Sequence, residues 1–201
     1  DITGATQVAL GGFHSCVMTT GGGVKCWGYN RFGQLGDNST TTRLTAVDVS
    51  GLTSGVSAIA AGTDHTCVLT TGGGIKCWGG NASGQLGDNS TTNRLTPVDV
   101  SGLTSGVNAI AANRDHTCAL TTGGGVKCWG YNGYGQLGDN STTNRLTAVF
   151  LSCFSSGLNL NAATTRHTSE LTTGGGVKCW GGDSAGQLGE ARTRRTASSR
   201  E

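Results

Sequence analysis

The sequence predicts an all-β fold: four tandem, four-stranded β-propeller blades of about 51 residues, forming a partial or open propeller. The first observation is the period. His14, His65, His116 and His167 recur every 51 residues, as do Trp27, Trp78, Trp129 and Trp180, and Gln34, Gln85, Gln136 and Gln187. The second is an identical block, GQLGDNSTT, at 33–41, 84–92 and 135–143, with a fourth copy that starts as GQLG at 186–189 and breaks off. The third is composition: 36 of 201 residues are glycine without a Gly-X-Y period, which means many tight turns rather than collagen.

The second unit shows why each segment reads as a strand. VSAIAAG (56–62) alternates small and branched apolar residues, and HTCVLT (65–70) follows directly. The glycine-rich stretch 70–74 has hairpin-turn chemistry, because glycine accepts positive φ. IKCWG (75–79) is the returning strand and LTPVDV (95–100) the fourth, with Pro97 tolerable near a sheet edge. No stretch carries helical apolar spacing over ten or more residues, which excludes a helical solenoid. The predicted units are 1–51, 52–102 and 103–153, an incomplete fourth at 154–189, and an irregular basic tail at 190–201.

The order H-[ST]-C-x-L-T-T-G-G-G-[VI]-K-C-W-G followed by N-x-x-G-Q-L-G resembles the repeat of the regulator of chromosome condensation family, over nearly the whole chain. WD40 repeats are shorter, and Kelch repeats lack this arrangement. The resemblance implies a toroid, commonly of seven four-stranded blades. The family includes nucleotide-exchange factors of eukaryotic nuclei and a secreted bacterial inhibitor of β-lactamases; the cysteine pattern looks more like the secreted kind. Beside the resemblance, the residues have their own physical reading. The repeated tryptophans are expected to pack blade against blade. Leu35, Leu86, Leu137 and Leu188 are expected to plug blade-to-blade gaps. His14, His65, His116 and His167 are expected to hold blades together by donating to a backbone carbonyl of the adjacent blade.

Six of the eight cysteines form three C-x9-C pairs, each straddling a TTGGG turn. If the hairpin is symmetric about Gly21, Cys16 and Cys26 face each other, at the 4.5–5.5 Å typical of opposed strand residues. The expected disulfides are Cys16–Cys26, Cys67–Cys77 and Cys118–Cys128, which place the protein outside the cell or at its surface. Buried, reduced cysteines are the alternative. Zinc on His14, Cys16 and Cys26 is disfavoured, because no fourth ligand recurs. Cys179 loses its hairpin partner to Ser169, and nothing in the spacing pairs it with Cys153.

Sequons at Asn38, Asn81, Asn89 and Asn140 are candidate glycosylation sites, although Asn and Ser after glycine also simply make turns. No catalytic site, metal or cofactor is expected. There is no nucleophile elbow, the glycine runs precede no helix, and the Asp-His pairs at 64–65 and 115–116 are missing from the other two units. A net charge of +2, spread thinly, gives no nucleic-acid footprint, and no apolar run reaches membrane length. The chain starts at Asp1 without a charged-then-apolar leader, so any signal peptide has been removed or was never included.

The variable loop after the third strand is where a partner is expected to be read. Tyr29, Arg31 and Phe32 in the first unit and Tyr131 and Tyr134 in the third are the candidate contacts. The expected role is a non-enzymatic extracellular binding or scaffolding propeller. The partner is then another protein or copies of the chain itself, through end-to-end assembly. A carbohydrate-binding wheel with one aromatic per blade is a third reading. After GQLG at 186–189, the run GEARTRRTASSRE has no strand pattern and matches a shifted reading frame or divergence of a terminal repeat, so 190–201 is not expected to supply a fourth strand.

Overall fold

A computed structural model describes residues 2–152, 158–163, 166–172 and 174–189, with the backbone alone for 158–163 and 170. Expectations for Cys153 and for the tail at 190–201 lie outside the described residues. The chain forms four meander sheets. The first holds β1 (Ala5–Leu10), β2 (His14–Thr19), β3 (Val24–Gly28) and β4 (Arg43–Asp48). The second holds β5 (Val56–Ala61), β6 (His65–Thr70), β7 (Ile75–Gly79) and β8 (Arg94–Asp99). The third holds β9 (Val107–Ala112), β10 (His116–Thr121), β11 (Val126–Gly130) and β12 (Arg145–Phe150). The fourth contains β13 (Leu158–Ala163), β14 (His167–Thr172) and β15 (Val177–Gly181). All pairing is antiparallel, and Pro97 lies in β8, the edge strand of its sheet, where a missing N–H costs no ladder bond. The described residues contain no helix.

The hydrophobic core lies between blades rather than within them. One cluster joins Cys16, Cys26, Leu35 and Val49 of the first blade to Val56, Ile59 and Trp78 of the second. The next joins Cys67, Cys77, Leu86 and Val100 to Val107 and Trp129, and a third joins Cys118, Leu137 and Leu151 to Trp180. This follows from strand geometry. The second and third sheets each bury both faces, one against each neighbour, so a single blade has no core of its own. The first strands β1, β5, β9 and β13 lie next to one another in series, which places them nearest the axis.

Hairpin register is set by the turns. Thr19, Thr70 and Thr121 each accept from the N–H of the glycine four residues on, and their hydroxyls return to that glycine's carbonyl. Cys16 is thereby placed opposite Cys26, Cys67 opposite Cys77 and Cys118 opposite Cys128. Each pair is joined Sγ to Sγ, with Cα atoms 4.1 Å apart, closer than the spacing expected from sequence. In the fourth blade Ser169 stands opposite Cys179 and its hydroxyl donates to that sulfur at 3.1 Å.

Candidate functional site

The invariant residues form a relay from blade to blade. The backbone carbonyl of Gln34 accepts two bonds from the next blade, from the Trp78 indole N–H at 2.9 Å and the Thr66 hydroxyl at 2.9 Å. His14 Nε2 lies 2.9 Å from that same hydroxyl. The single Thr66 proton is already committed to the carbonyl, so Thr66 accepts and His14 Nε2 donates. That fixes the neutral Nε2–H tautomer and leaves Nδ1 a bare, buried acceptor without a partner. The arrangement repeats as His65–Thr117–Gln85 with Trp129, and as His116–Thr168–Gln136 with Trp180. His14, His65 and His116 therefore reach the next blade through a threonine hydroxyl, where a backbone carbonyl had been expected. A carbonyl has two lone pairs, and Trp and Thr already occupy both.

Burial keeps these rings neutral. It lowers the His14 and His116 pKa values to about 4 and that of His65 to about 3, where the charges of the flanking His14 and His116 add to the effect. Imidazoles bonded to hydroxyls, beside cysteines bonded to each other, present no converging ligand set; among the described residues no group of three metal-ligating side chains occurs. Asp64 accepts from the Gln34 side-chain amide at 3.4 Å, while His65 Nε2 bonds Thr117 and its Nδ1 has no partner, so the two form no acid–base pair.

Trp78, Trp129 and Trp180 are fully buried, so they present no ring face to a sugar. Trp27, in the first of the blades described, is partly exposed, beside Lys25 and Leu44 in an open groove. Sequence alone places all four alike, and the structure separates them. Trp129→Ala is expected to cost about 3–5 kcal/mol of stability, and Trp27→Ala less than about 2 kcal/mol. Urea denaturation of dilute protein checks the contrast; equal losses would contradict it.

Three of the four sequons lie on the surface. Asn38, Asn89 and Asn140 are exposed and hold the left-handed conformation (φ 58°, 60° and 59°), which asparagine tolerates better than most residues. Asn81 does not fit as a glycosylation site. It is fully buried, and its Nδ2 donates to Asp88 Oδ1, Ser90 and the Thr92 carbonyl, while its Oδ1 accepts from Leu86 N–H. Asn30 and Asn132 do the same, so the N-x-x-G-Q-L-G asparagine organises the loop around it. Asp37, Asp88 and Asp139 close that loop with Arg43, Arg94 and Arg145 at 2.6–2.8 Å.

On this scaffold, the loops that differ between units gather at one end of the blades. Strand direction puts the β1–β2 and β3–β4 connections together, and backbone bonds from Tyr29 to Phe13, Gly80 to Asp64, Tyr131 to Asp115 and Gly182 to Arg166 tie them. Tyr29 packs edge-on against both Phe13 and Phe32 at 6.4 Å, and Tyr131 against Tyr134 at 6.0 Å. The Arg166 guanidinium stacks on Tyr134 at 5.0 Å, and Arg114 pairs with Asp115 at 3.3 Å. Phe13 is 78% exposed and Arg31 is exposed as well. Burial raises the Asp64 and Asp115 pKa values; the Asp115 charge adds to the effect at Asp64, and Arg114 opposes it at both. Of the expected contacts, Tyr29, Arg31 and Phe32 form one patch and Tyr131 and Tyr134 another. Sequence reasoning missed Phe13, Arg114 and Arg166, which adjoin these loops only in three dimensions.

Comparison with known proteins agrees with this architecture. The human probable E3 ubiquitin-protein ligase HERC4 is 37% identical over 193 residues, 93% of this chain but 18% of that protein. The ultraviolet-B receptor UVR8 of Arabidopsis thaliana is 32% identical over 194 residues, 91% of this chain and 42% of the receptor. Among solved structures, human WBSCR16 matches with a TM-score of 0.84 and 27% identity, over 98% of this chain and 51% of that one. Yeast RCC1 (Prp20) bound to Kap60 matches with a TM-score of 0.84 and 21% identity, over 96% and 47%. The chain thus spans less than half of those curated relatives, and these eukaryotic proteins lend no support to the secreted bacterial subtype. Two profiles described as the regulator of chromosome condensation repeat match, one at 5–34, 56–85 and 107–136 and the other at 22–69 and 73–120. The chain belongs to the regulator of chromosome condensation (RCC1) repeat family.

Proposed function

We propose that this chain is a non-enzymatic propeller segment that binds another protein through the face built from its β1–β2 and β3–β4 connections. The observation that carries this reading is the contrast between the two kinds of residue. Most side chains repeated from unit to unit are consumed in the relay and loop anchors, while the loops that vary display Phe13, Tyr29, Phe32, Tyr131, Tyr134 and arginines. Aromatic and arginine side chains held on rigid strands are the composition of interface hot spots. Yeast RCC1, similar in fold, is seen bound to a protein, Kap60. The ligase activity named for HERC4 belongs to a protein of which this chain matches 18%, and it is not part of the proposal.

The proposed setting is an oxidising one, outside the cell or at its surface, supported by the three buried cysteine pairs. There Asn38, Asn89 and Asn140 are the accessible sequons, and a mass decrease on enzymatic deglycosylation of source-purified protein would show them used. The binding proposal is tested on the loops. Phe32→Ala and Tyr134→Ala are each expected to cost about 0.5–1.5 kcal/mol of stability, the worth of an aromatic pair. Affinity for a partner identified by crosslinking should fall by about tenfold or more. Unchanged affinity, or a stability loss typical of a core residue, would make these side chains packing elements.

A further inference from the structure

We propose that the loop-face pocket at the boundary of the third and fourth blades takes an aspartate or glutamate side chain of a partner protein, whose carboxylate pairs with Arg166 and accepts from the Gln136 side-chain amide. This rests on the loop-face reading above and names the chemistry that reads one part of that face. The repeat itself shows what the position lacks. In the first blade the Phe32 N–H donates to Gln34 Oε1 at 3.0 Å, which fixes the orientation of the amide, and Gln34 Nε2 donates across the blade boundary to the Asp64 carboxylate at 3.4 Å. Gln136 is held in the same way, its Oε1 accepting from the Tyr134 N–H at 3.0 Å. The repeat position filled by Asp64 and Asp115 is, however, Arg166 in the fourth blade. An arginine offers no acceptor. Gln136 Nε2 is left a donor without a partner, in a residue 0% exposed. An unbonded buried donor is costly, and a carboxylate brought in from outside relieves it.

The surroundings suit one carboxylate. A pocket of about 340 Å³ is lined by Ser83, Arg114, Asp115, Tyr131, Tyr134 and Arg166. Arg166 is exposed, its guanidinium lies 5.0 Å from the Tyr134 ring centre, and it belongs to none of the ion pairs among the described residues. Arg114 already pairs with Asp115 at 3.3 Å, so the lining keeps one positive charge in excess. That balance matches a single carboxylate and not a run of phosphates, which needs several clustered cations. The planar guanidinium also meets a carboxylate with two parallel hydrogen bonds. The carboxylate reaches Gln136 Nε2 once the exposed Arg166 side chain turns outward, and it then takes at the third blade boundary the place that Asp64 takes at the first.

NMR of the isotope-labelled chain near neutral pH, titrated with N-acetylglutamate methylamide, tests this. The Gln136 side-chain amide and Arg166 Nε–H signals are expected to shift together and saturate. The Nε–H signal of Arg31, an exposed arginine on the same face, should stay put over the same range. The glutamine counterpart of the probe should move none of them. Arg166→Asp supplies the carboxylate from within the chain, as at position 64, and should lower the affinity for the probe by about tenfold or more. A Gln136 amide that does not move, equal shifts at Arg31 and Arg166, or unchanged affinity in Arg166→Asp would overturn the proposal. So would an oligothymidylate that binds there more tightly than the probe. The probe reads the pocket without a partner, whereas crosslinking from Arg31 reports the loop face from the first blade, so either can fail while the other stands.

Discussion

Lowering the pH from 7 to 4 is expected to unfold this chain. In the relay His14, His65 and His116 are neutral, their pKa values lowered by burial to about 4, 3 and 4. Unfolded, each titrates near 6.5. Depressed histidines bind fewer protons folded than unfolded, so their contribution is fully present above pH 6.5. It is lost as pH falls from there toward the folded values. At about 1.4 kcal/mol per unit, the combined loss by pH 4 is on the order of 5–10 kcal/mol, comparable to the whole stability of a typical domain. Asp37, Asp88 and Asp139 act in a lower window. Burial alone would raise them, but hydrogen bonds from serine, arginine and asparagine hold them below the ordinary value, so their contribution disappears only below about pH 4. Asp64 and Asp115, raised by burial, oppose the trend near pH 4 and moderate it. Urea midpoints measured at half-unit steps check this, and His65→Gln, which retains a donor for Thr117 without titrating, should flatten the slope. Constant stability between pH 6.5 and 5 would contradict the buried neutral relay.

Reducing the three cysteine pairs is the second large effect. Each bond closes a hairpin with a sequence separation of 10. Chain entropy assigns about 2–3 kcal/mol to such a loop. The bonds lie in separate blades, so their effects add, to roughly 8 kcal/mol in all. The sulfurs are fully buried, so a reductant acts through transient opening, and loss of structure should lag its addition under native conditions. Thermal denaturation with and without a strong reductant gives the size of the effect. A melting temperature insensitive to reduction, or free thiols at Cys16, Cys67 and Cys118 in source-purified protein, would remove both the bonds and the argument for an oxidising compartment.

The strands were legible because their causes are local. Alternation in VSAIAA, the threonine-and-glycine turn and the recurrence of KCWG each act within a few residues, and turn length alone brings Cys67 opposite Cys77. The relay was not legible, since the Trp78 bond to Gln34 spans 44 residues and the Thr66 bond 32. A hydroxyl after every repeated histidine was the available signal. Trp27 shows the limit most plainly. It sits in the same VKCWG as Trp129, yet its surroundings depend on a blade that precedes it in space. Asn81 shows a different limit. Its sequon describes covalent eligibility, whereas its recurrence as Asn30 and Asn132 marked a structural role. The candidate face was half legible, because loop aromatics stand out in sequence but the β1–β2 residues join them only when blades stack.

Site-specific photocrosslinking tests the central claim of a protein-binding face most directly. A photoreactive residue placed at Phe13 or Arg31 samples that face, and one at Thr71 or Thr122, on exposed hairpin tips, samples the opposite one. In extract from the source organism, a discrete protein adduct identified by mass spectrometry is expected from Phe13 and Arg31 and not from Thr71 or Thr122. Adducts confined to the hairpin tips, or no adduct from either face, would contradict it.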